Sequence, residues 1–370
     1  MTARRRFGSL RKTKAGRWQA RYKGPDGRPR TAPTTFATKT DASLYLAGVE
    51  TDLYRGTWYD PTAGNVLLAR YSEDWLKHRK LAPRTRDLYA EILRIHIRPQ
   101  LGDMPLSSIS AAEVRRWLND AGKRTGQRRV SASYTLLRTI LNTAVSDGLL
   151  PSNPCRVKGA GQSVAPERPL LSVEQVYALA DAIEPYLKPV VLIIFWAHLR
   201  RGELLALRRG DVDLAAGTLC IDFQVIRTST GYQTTAPKAA SRRTIDLSAP
   251  AVEILRQHLA ATGPALPSAL LFTRPDGGVL RQQHIQVAWQ KAREEVDLPG
   301  LHVHDLRHAS LTLAAQTGAS TKEIMARGGH SSLRAAMIYQ HYAAERGRVI
   351  ADSMTVTADA AAPDRGIATP

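Results

Sequence analysis

Two arginines, two histidines and a tyrosine in the C-terminal half have the types and spacing to act on a phosphodiester. They are Arg200, then His304 with Arg307 three positions on, and His330 followed nine positions later by Tyr339. Arginine can hold a phosphate with paired N–H donors, and histidine moves protons near neutral pH. A tyrosine hydroxyl can attack phosphorus and stay bonded to it. The set therefore predicts a site that cuts and reseals a DNA strand through a phosphotyrosine.

Two further residues extend this candidate site. Glu203 lies three positions after Arg200 and could orient its guanidinium, although the two could also form an ordinary structural ion pair. Lys238 lies at a predicted hairpin tip, from which its ammonium could protonate a leaving-group oxygen, although most turn lysines are simply solvated. Arg242 and Arg243 are nearby cations that could be mistaken for Lys238.

The same segments allow two rival interpretations. His304 and His308 have the i, i+4 spacing of zinc-binding helices, with Asp305 in the place of the usual glutamate. Arg307 would then share the site with a dication, and no third ligand is clearly placed, so we predict no metal. Tyr342 is a second candidate for the nucleophile, and either tyrosine could be a plain buried side chain.

Charge favours nucleic acid as the partner. The chain has 370 residues and a net charge of +19, of which +8 falls in residues 1–60, +9 in residues 61–165 and +2 in residues 166–370. A basic surface of this kind is typical of phosphate binding. Two cysteines, no apolar N-terminal segment and no apolar run longer than Val190–Ala197 predict a cytoplasmic, nucleoid-associated protein without disulfides or a membrane span.

Residues 1–60 have the pattern of a small basic module. Apolar and polar side chains alternate over residues 16–23, which indicates a half-buried strand, and residues 24–27 form a turn signal before a second strand. Thr38 and Asp41 can cap a helix that runs to about Arg55. The candidate DNA-binding residues here are Arg17, Arg21 and Lys23.

Residues 66–155 have helical periodicity and follow a linker at residues 58–64. Their apolar positions predict a helical core, formed by Tyr71, Trp75, Leu88, Ile92, Ile95, Val114, Trp117, Leu118, Leu136, Leu137, Ile140, Leu141 and Val145. Basic residues beside them could clamp a duplex through its phosphates. The candidate DNA-binding residues here are Lys80, Arg84, Arg86, Arg128 and Arg129.

The pattern of residues 166–352 predicts a third domain, in which helices alternate with one sheet segment. Ser172 and Gln175 form a capping-box pattern, and Val190–Leu199 is an apolar helix that leads to Arg200. Thr218–Phe223 and Thr244–Leu247 indicate strands of one hairpin region, and a helix is predicted through Ala336 to Tyr339. The tail, residues 353–370, has a composition typical of disorder.

Together these motifs resemble the tyrosine recombinase (phage integrase) family over about residues 5–352. The matching positions, in order, are Arg200, Gly202, Glu203, Lys238, His304, Arg307, Gly329, His330 and Tyr339. The resemblance implies a multidomain, mainly α fold with small β-sheets: an AP2-like arm-binding domain of three strands and a helix, a helical SAM-like core-binding domain, and a mixed α+β catalytic domain. The chain departs from the family pattern at His198, where glycine is usual, and at Gly328, where leucine is frequent.

The resemblance also implies a mechanism and partners. Arg200 and Arg307 would grip the scissile phosphate, Tyr339 would attack it with His304 as base, Lys238 would protonate the 5′ oxygen, and His330 would add a hydrogen bond. Double-stranded attachment sites, a homotetramer on DNA, an excisionase and a host DNA-bending protein are the expected partners, without nucleotide cofactor or metal. A Xer-type resolvase and a non-catalytic DNA-binding regulator are the alternatives, and a type IB topoisomerase is disfavoured by the arm-like module.

Overall fold

The computed structural model describes residues 6–162, 169–237, 241–339 and 354–355. The chain divides into two compact units, residues 1–165 and residues 166–370. Lys238 and Tyr342 lie outside the described residues, as does the predicted disordered tail apart from residues 354–355. Within the described ranges, no helix combines the length and the hydropathy that a membrane span needs.

The first unit begins with a three-stranded antiparallel sheet that one helix covers. The strands are β1 Ser9–Lys12, β2 Trp18–Lys23 and β3 Pro29–Thr31, and the helix is α1 Lys39–Arg55. The central strand β2 buries Ala20 and Tyr22 under α1 and leaves Arg21 and Lys23 exposed on the opposite face. Thr38 accepts a hydrogen bond from the backbone N–H of Asp41. The predicted strand alternation and helix cap are both confirmed.

Helices make up the rest of this unit. They are α2 Leu68–His78, α3 Pro83–Ile92, α4 Arg98–Leu101, α5 Ala111–Arg124 and α6 Gln127–Ser146, with a π-helical turn at Leu93–Ile97 between α3 and α4. Most of the predicted core is buried or partly buried, but Leu88 and Ile95 are 39% and 42% exposed, so their assignment to the core was wrong. The wider π turn sets Ile97 rather than Ile95 on the buried side with Leu93.

The second unit surrounds two small sheets with helices. The helices are α7 Val173–Ala182, α8 Lys188–Trp196, α9 Arg201–Leu204, α10 Ala249–Thr262, α11 Gln282–Glu295, α12 Val303–Gln316, α13 Thr321–Gly328 and α14 Leu333–Met337. The strands are β4 Val212–Asp213, β5 Thr218–Ile221, β6 Gln224–Thr228, β7 Gly231–Thr235 and β8 Arg243–Asp246. The core has α8 at its centre, and six consecutive residues of α8, from Val190 to Phe195, are buried.

Antiparallel pairing of β5 with β8 confirms the two predicted strands but not their connection. Cys220 lies opposite Thr244, and β4 adds to the other edge of β5. A separate two-stranded hairpin, β6 with β7, is inserted between them, so β5 and β8 are not the arms of one hairpin. The capping box at Ser172 and Gln175 is present as predicted.

Two predicted helices end early, and both ends matter for the site. Helix α8 stops at Trp196 instead of Leu199, because His198 has a left-handed backbone (φ +51°) that a right-handed helix cannot continue. The chain then turns so that Arg200 immediately precedes α9. Helix α14 stops at Met337, so Tyr339 follows the helix rather than lying within it.

Candidate active site

Arg200 lies at the start of α9, where the chain turns out of the buried helix α8. Its backbone N–H donates to Glu203 Oε2 (2.9 Å) and its Nη1 donates to Glu203 Oε1 (2.6 Å). Nη1 also donates to Ser241 Oγ (3.3 Å), and Nη2 donates to the carbonyl of Gly329 (2.6 Å). About a third of the side chain (31%) stays exposed, so this guanidinium can reach a ligand at the surface.

Glu203 is a fully buried carboxylate with several cationic partners. Arg243, at the start of β8, donates from Nη1 to Oε1 (3.2 Å) and from Nη2 to Oε2 (2.9 Å). Arg307 Nη1 lies 4.0 Å from Oε2. Burial alone would raise the pKa of Glu203, but the hydrogen bonds and charges of Arg243 and Arg200 outweigh it and hold that pKa below its usual value. Three guanidiniums thus face one carboxylate, which leaves the site with net positive charge.

Arg307 is held inside the protein by backbone carbonyls. It lies on α12 and is 1% exposed, with Nη1 donating to the carbonyl of His198 and Nη2 to that of Gly328. Nη2 also lies 3.0 Å from His330 Nε2, which therefore accepts its hydrogen. Burial, followed by the charge of Arg200, lowers the pKa of Arg307 to about 9, so the guanidinium is still charged at neutral pH.

A glycine turn after α13 brings His330 to the arginines. Gly329 has a left-handed backbone (φ +56°), and a Cβ at this position would lie 2.8 Å from Arg243 Nη1 and 3.0 Å from the Cα of Ser241. Glycine is therefore required both by conformation and by space. Burial, with Arg307 and Arg200 next in effect, lowers the pKa of His330 to about 4, so its ring is neutral at pH 7.

Tyr339 packs against two histidine rings. Its ring stacks on His330 (centroids 5.5 Å apart, planes within 4°) and lies 5.6 Å from the ring of His308. The side chain is 4% exposed, and burial raises its pKa despite the opposing charges of Arg307 and Arg200. Tyr339 is therefore a protonated phenol at neutral pH that needs a base before it can attack.

The two histidines of α12 differ in their surroundings. His304 is exposed, and its ring centroid lies 4.8 Å from that of His308, one turn further along the helix. The ring in contact with Tyr339 is thus His308, with His304 behind it. Sequence reasoning considered His308 only as a possible zinc ligand.

The structure brings most of the predicted site together. Six predicted residues lie in this part of the second unit, namely Arg200, Glu203, His304, Arg307, His330 and Tyr339. Asp305, which would replace the glutamate of a zinc motif, accepts from the backbone N–H of His302 at the start of α12. Among the described residues, no three His, Cys, Asp or Glu side chains are grouped as metal ligands.

Sequence reasoning missed Ser241 and Arg243. Both are buried in the site, and Ser241 Oγ donates to the carbonyl of Gly329 (3.0 Å). The signal was present in the strand alternation, because Arg243 shares a face of β8 with the buried Ile245. An arginine on the buried face of a strand requires an acidic partner. Sequence reasoning considered Arg243 only as a cation that could be mistaken for Lys238 and did not assign it this contact with Glu203.

The two departures from the family pattern have structural explanations. The backbone at position 198 is left-handed, a conformation that glycine adopts without strain, and in this chain a histidine adopts it. The His198 ring Nε2 accepts from Arg327 Nε (3.0 Å), and its Nδ1 bonds to Ser310 Oγ. At Gly328, a Cβ would lie 3.0 Å from the His330 ring and 3.2 Å from Arg307 Nη2, so glycine allows these groups to approach closely.

Replacing His198 should therefore change stability in two opposing ways, one through the backbone and one through the side chain. Glycine would remove the left-handed strain and lose the two ring hydrogen bonds, whereas alanine would lose the bonds and keep the strain. We expect His198→Ala to be less stable than His198→Gly by about 1 kcal/mol in urea unfolding. Equal stability of the two variants would contradict the assignment of strain to this residue.

The same variants test the protonation state of His198. Burial, with Arg327 and Arg307 next, lowers its pKa to about 3, against 6.5 for a free histidine. The unfolded chain then binds more protons than the folded one between these values, so wild-type stability falls as pH decreases from about 6.5 towards 3. His198→Gly should show a smaller decrease in its free energy of unfolding over that range.

The candidate DNA-binding residues of the first unit differ in exposure and in partners. Arg17, Arg21, Lys23, Lys80, Arg84 and Arg128 are exposed, whereas Arg86 and Arg129 are partly buried. Three of the candidates have partners within the protein: Arg86 donates to the carbonyls of Leu76 and Arg79 at the end of α2, Arg129 pairs with Glu91 (3.4 Å), and Arg17 donates to Thr35. Arg86 therefore has a clear role in ending a helix.

Comparison with known proteins gives a consistent result along the chain. A family model described as phage integrase, N-terminal domain, matches residues 6–55, and one described as phage integrase, N-terminal SAM-like domain, matches residues 67–121. The model of the phage integrase family matches residues 170–346. The putative prophage phiRv2 integrase of Mycobacterium tuberculosis is 37% identical over 366 residues, covering 96% of this chain and 97% of that protein.

Solved structures are similar in fold at much lower identity. The integrase of transposon Tn1549 in complex with transposon right end DNA has a TM-score of 0.65 and 18% identity, covering 77% of this chain and 100% of that chain. A lambda integrase tetramer bound to a Holliday junction has a TM-score of 0.56 and 18% identity, covering 87% of this chain and 95% of that one.

Proposed function

Because this chain belongs to the phage integrase family and is a site-specific tyrosine recombinase, we propose that it integrates and excises the DNA of a phage or another mobile element. The prophage integrase similar to it over almost the whole length supports this role. The observation that carries the proposal is the cluster of Arg200, Arg307 and their shared carboxylate Glu203, with Tyr339 packed beside it.

We assign the grip on the scissile phosphate to Arg200 and Arg307. Both lie against the carboxylate of Glu203, and their combined charge exceeds that of this buried partner. Such preorganised donors favour the extra negative charge of a pentacoordinate phosphorus. Arg200 is open to the surface, whereas Arg307 is covered by the carbonyls of His198 and Gly328. The guanidinium of Arg307 has five N–H donors, and its contacts with these carbonyls and with His330 use three of them, so a phosphate oxygen need not displace a carbonyl.

The chemical step in this proposal is a transesterification at phosphorus. The Tyr339 oxygen attacks, its proton passes to His304 by way of His308, whose ring contacts both, and a 3′-phosphotyrosine forms as the bond to the 5′ oxygen breaks. Lys238 supplies a proton to that departing oxygen. The 5′-hydroxyl of a partner strand later attacks the phosphotyrosine and releases Tyr339. The phosphotyrosine conserves the energy of the phosphodiester, so no nucleotide is consumed.

His330 takes part in this scheme as a neutral hydrogen-bond donor. Burial, with the charges of Arg307 and Arg200, lowers its pKa to about 4, so the imidazole is neutral at pH 7 before DNA binds. In the free chain its Nε2 accepts from Arg307, so donation from Nε2 to phosphate would follow once Arg307 turns towards the phosphate and the proton moves from Nδ1. The ring also stacks on Tyr339, which suits a residue that links nucleophile and phosphate.

We propose that DNA capture belongs mainly to the first 165 residues, with residues 1–60 as the arm-binding domain, residues 66–155 as the core-binding domain and residues 166–352 as the catalytic domain. The excess charge of the first two parts supports this division of labour. The working assembly would be a homotetramer on two attachment sites, as in the lambda integrase tetramer on its Holliday junction. An excisionase and a host DNA-bending protein would control its direction.

The exposed face of β2 offers a direct test of DNA capture. We expect an Arg21→Ala, Lys23→Ala double variant to bind duplex DNA more weakly, because both side chains lie opposite α1 on the open face of the sheet. Affinity decreases with salt, and the magnitude of the slope of log affinity against log salt concentration should become smaller by about 0.9 for each phosphate that the variant no longer neutralises. Arg55→Ala, on the covering helix α1, serves as the control and should keep the wild-type slope.

Covalent capture on genomic DNA tests the function as a whole. The protein is mixed with sheared DNA from its own source and denatured, and the DNA ends that remain linked to protein are sequenced. We expect 3′-linked ends concentrated at one pair of positions at the junction of an integrated element. Ends at a chromosomal resolution site would instead indicate a resolvase, scattered ends a topoisomerase-like activity, and binding without linked ends a non-catalytic regulator.

A further inference from the structure

Arg243 lies at the centre of the site and differs from the two phosphate-gripping arginines in its partners. Its side chain is 6% exposed, between the 31% of Arg200 and the 1% of Arg307, so its hydrogen bonds distinguish it rather than its burial. Both terminal nitrogens donate to Glu203, Nη1 also donates to the carbonyl of Ser241 (2.8 Å), and Nε donates to the carbonyl of Arg327 (2.8 Å). The guanidinium is thus surrounded by acceptors of the protein itself.

These hydrogen bonds connect Arg243 to Arg200 by two routes. One runs through the Glu203 carboxylate, whose two oxygens are each shared between Arg243 and Arg200. The other runs along the chain to Ser241, whose hydroxyl accepts from Arg200 Nη1 and donates to the same Gly329 carbonyl that Arg200 Nη2 contacts. Movement of Arg243 would therefore release Arg200 on two sides.

The charge of Glu203 depends on the same arrangement. The charged groups that face it are Arg200 beside it at the start of α9, Arg243 from β8 and Arg307 from α12. Arg200 and Arg307 must also serve the phosphate, whereas the three nitrogens of Arg243 all donate to acceptors of the protein. Arg243 can therefore keep Glu203 ionised while Arg200 and Arg307 change partners when DNA binds.

We propose that Arg243 is a positioning residue of the recombination reaction, which holds Glu203 as a charged, two-sided acceptor and so fixes Arg200 in the orientation that grips the phosphate. It touches neither the DNA nor the attacking oxygen, and it acts through Glu203 and Ser241. The inference rests on the proposed function, because the phosphate is the ligand that Arg200 is oriented to meet.

Three variants of the full-length protein separate this role from a general structural one. Arg243→Gln removes the charge, Arg243→Lys keeps it without the paired geometry, and Arg242→Gln changes the exposed neighbour as a matched control. On a nicked suicide substrate at saturating protein, we expect covalent-complex formation to slow by about 100-fold for Arg243→Gln and about 10-fold for Arg243→Lys. DNA affinity should remain near the wild-type value, and Arg242→Gln should cleave at the wild-type rate.

The pH dependence of cleavage gives a readout that a loss of packing alone would not change. In the wild type, the arginines hold the pKa of Glu203 below its usual value. Without Arg243 the burial of Glu203 has less opposition, so its pKa should rise and the carboxylate should protonate as pH is lowered from 7 to 5. Cleavage by Arg243→Gln should therefore decline over this range more steeply than cleavage by the wild type.

A Glu203→Gln background shows whether the effect passes through the carboxylate. Arg243→Gln should add less than about threefold to the loss that Glu203→Gln alone causes, because the shared link is already broken. Fully multiplicative losses, or wild-type cleavage by Arg243→Gln, would overturn the inference. If Arg243→Gln does not fold, Arg243→Lys carries the same rate and pH tests.

One measurement is independent of catalysis. The carboxyl carbon of Glu203 can be followed by NMR in protein labelled at glutamate, with Glu203→Gln to assign the signal. We expect its titration midpoint to rise in Arg243→Lys relative to the wild type and to stay unchanged in Arg242→Gln. An unshifted midpoint in Arg243→Lys refutes the positioning role, whether or not the wild type forms the adduct. If the midpoint shifts but the wild type forms no adduct, the proposed function is refuted instead.

Discussion

Replacing Tyr339 by phenylalanine should abolish the covalent protein–DNA complex while leaving the fold and DNA binding intact. The phenol oxygen is the atom that would bond to phosphorus, and removal of a covalent nucleophile costs roughly 10⁴-fold or more in rate. The ring itself would remain stacked on His330 and in contact with His308, so the free energy of unfolding should change by less than about 0.5 kcal/mol.

The measurement is adduct formation on a nicked suicide duplex, followed on a denaturing gel. Tyr342→Phe is the matched control, because Tyr342 is the rival nucleophile only three positions away. It should form the adduct at a rate close to that of the wild type. The reverse result, with adduct from Tyr339→Phe and none from Tyr342→Phe, would transfer the nucleophile to Tyr342.

Arg200→Ala and Arg307→Ala should both lose cleavage but differ sharply in stability. Each removes a guanidinium assigned to the phosphate, so we expect each to slow adduct formation by about 10³-fold. Arg307 is 1% exposed, and its loss strands the carbonyls of His198 and Gly328, so unfolding should become easier by roughly 3–5 kcal/mol. Arg200 is partly exposed, and Glu203 keeps Arg243 without it, so its loss should cost about 1 kcal/mol.

Urea unfolding and suicide-substrate cleavage, measured on the same preparations, separate these effects. Arg201→Ala serves as the control. Arg201 is the next residue after Arg200 and donates to Gln286 at the protein surface, so this variant should cleave at a rate near that of the wild type. Equal destabilisation by Arg200→Ala and Arg307→Ala would contradict the conclusion that Arg307 is enclosed by the protein whereas Arg200 is open to the surface. Retained cleavage by either variant would remove that residue from the phosphate site.

The local elements of the fold were largely predictable, whereas their connections were less so. Strand alternation and caps depend on neighbours in sequence, and the first sheet, the helix after Thr38 and the capping box at Ser172 all follow from them. The insertion of β6 and β7 between β5 and β8 could not be read from the same patterns, since pairing at long range leaves little local trace. The π turn at Leu93–Ile97 likewise changed which apolar residues are buried.

For the site, the sequence indicated the residues whose chemistry is distinctive but not those that support them. Arg200, Arg307, His330 and Tyr339 come together as spacing and family resemblance predicted. Arg243 was overlooked because its role depends on Glu203, a residue 40 positions away that only the folded chain brings near. The early end of α8 depended on the conformation of one residue, His198, which no periodicity reveals. Lys238 remains a prediction.

His198, with its left-handed backbone, also connects residues that are distant in the chain, and this contact should affect how they are substituted during evolution. His198 accepts from Arg327 and bonds to Ser310, and its carbonyl receives Arg307. A lineage with glycine at position 198 would remove one partner from Ser310, which also donates to the carbonyl of Phe195, and one from Arg327, which also donates to the carbonyl of Asp246. A lineage that kept histidine would be expected to retain both, because most buried polar atoms in proteins are hydrogen-bonded. Substitutions at these three positions should therefore be acquired together rather than one at a time.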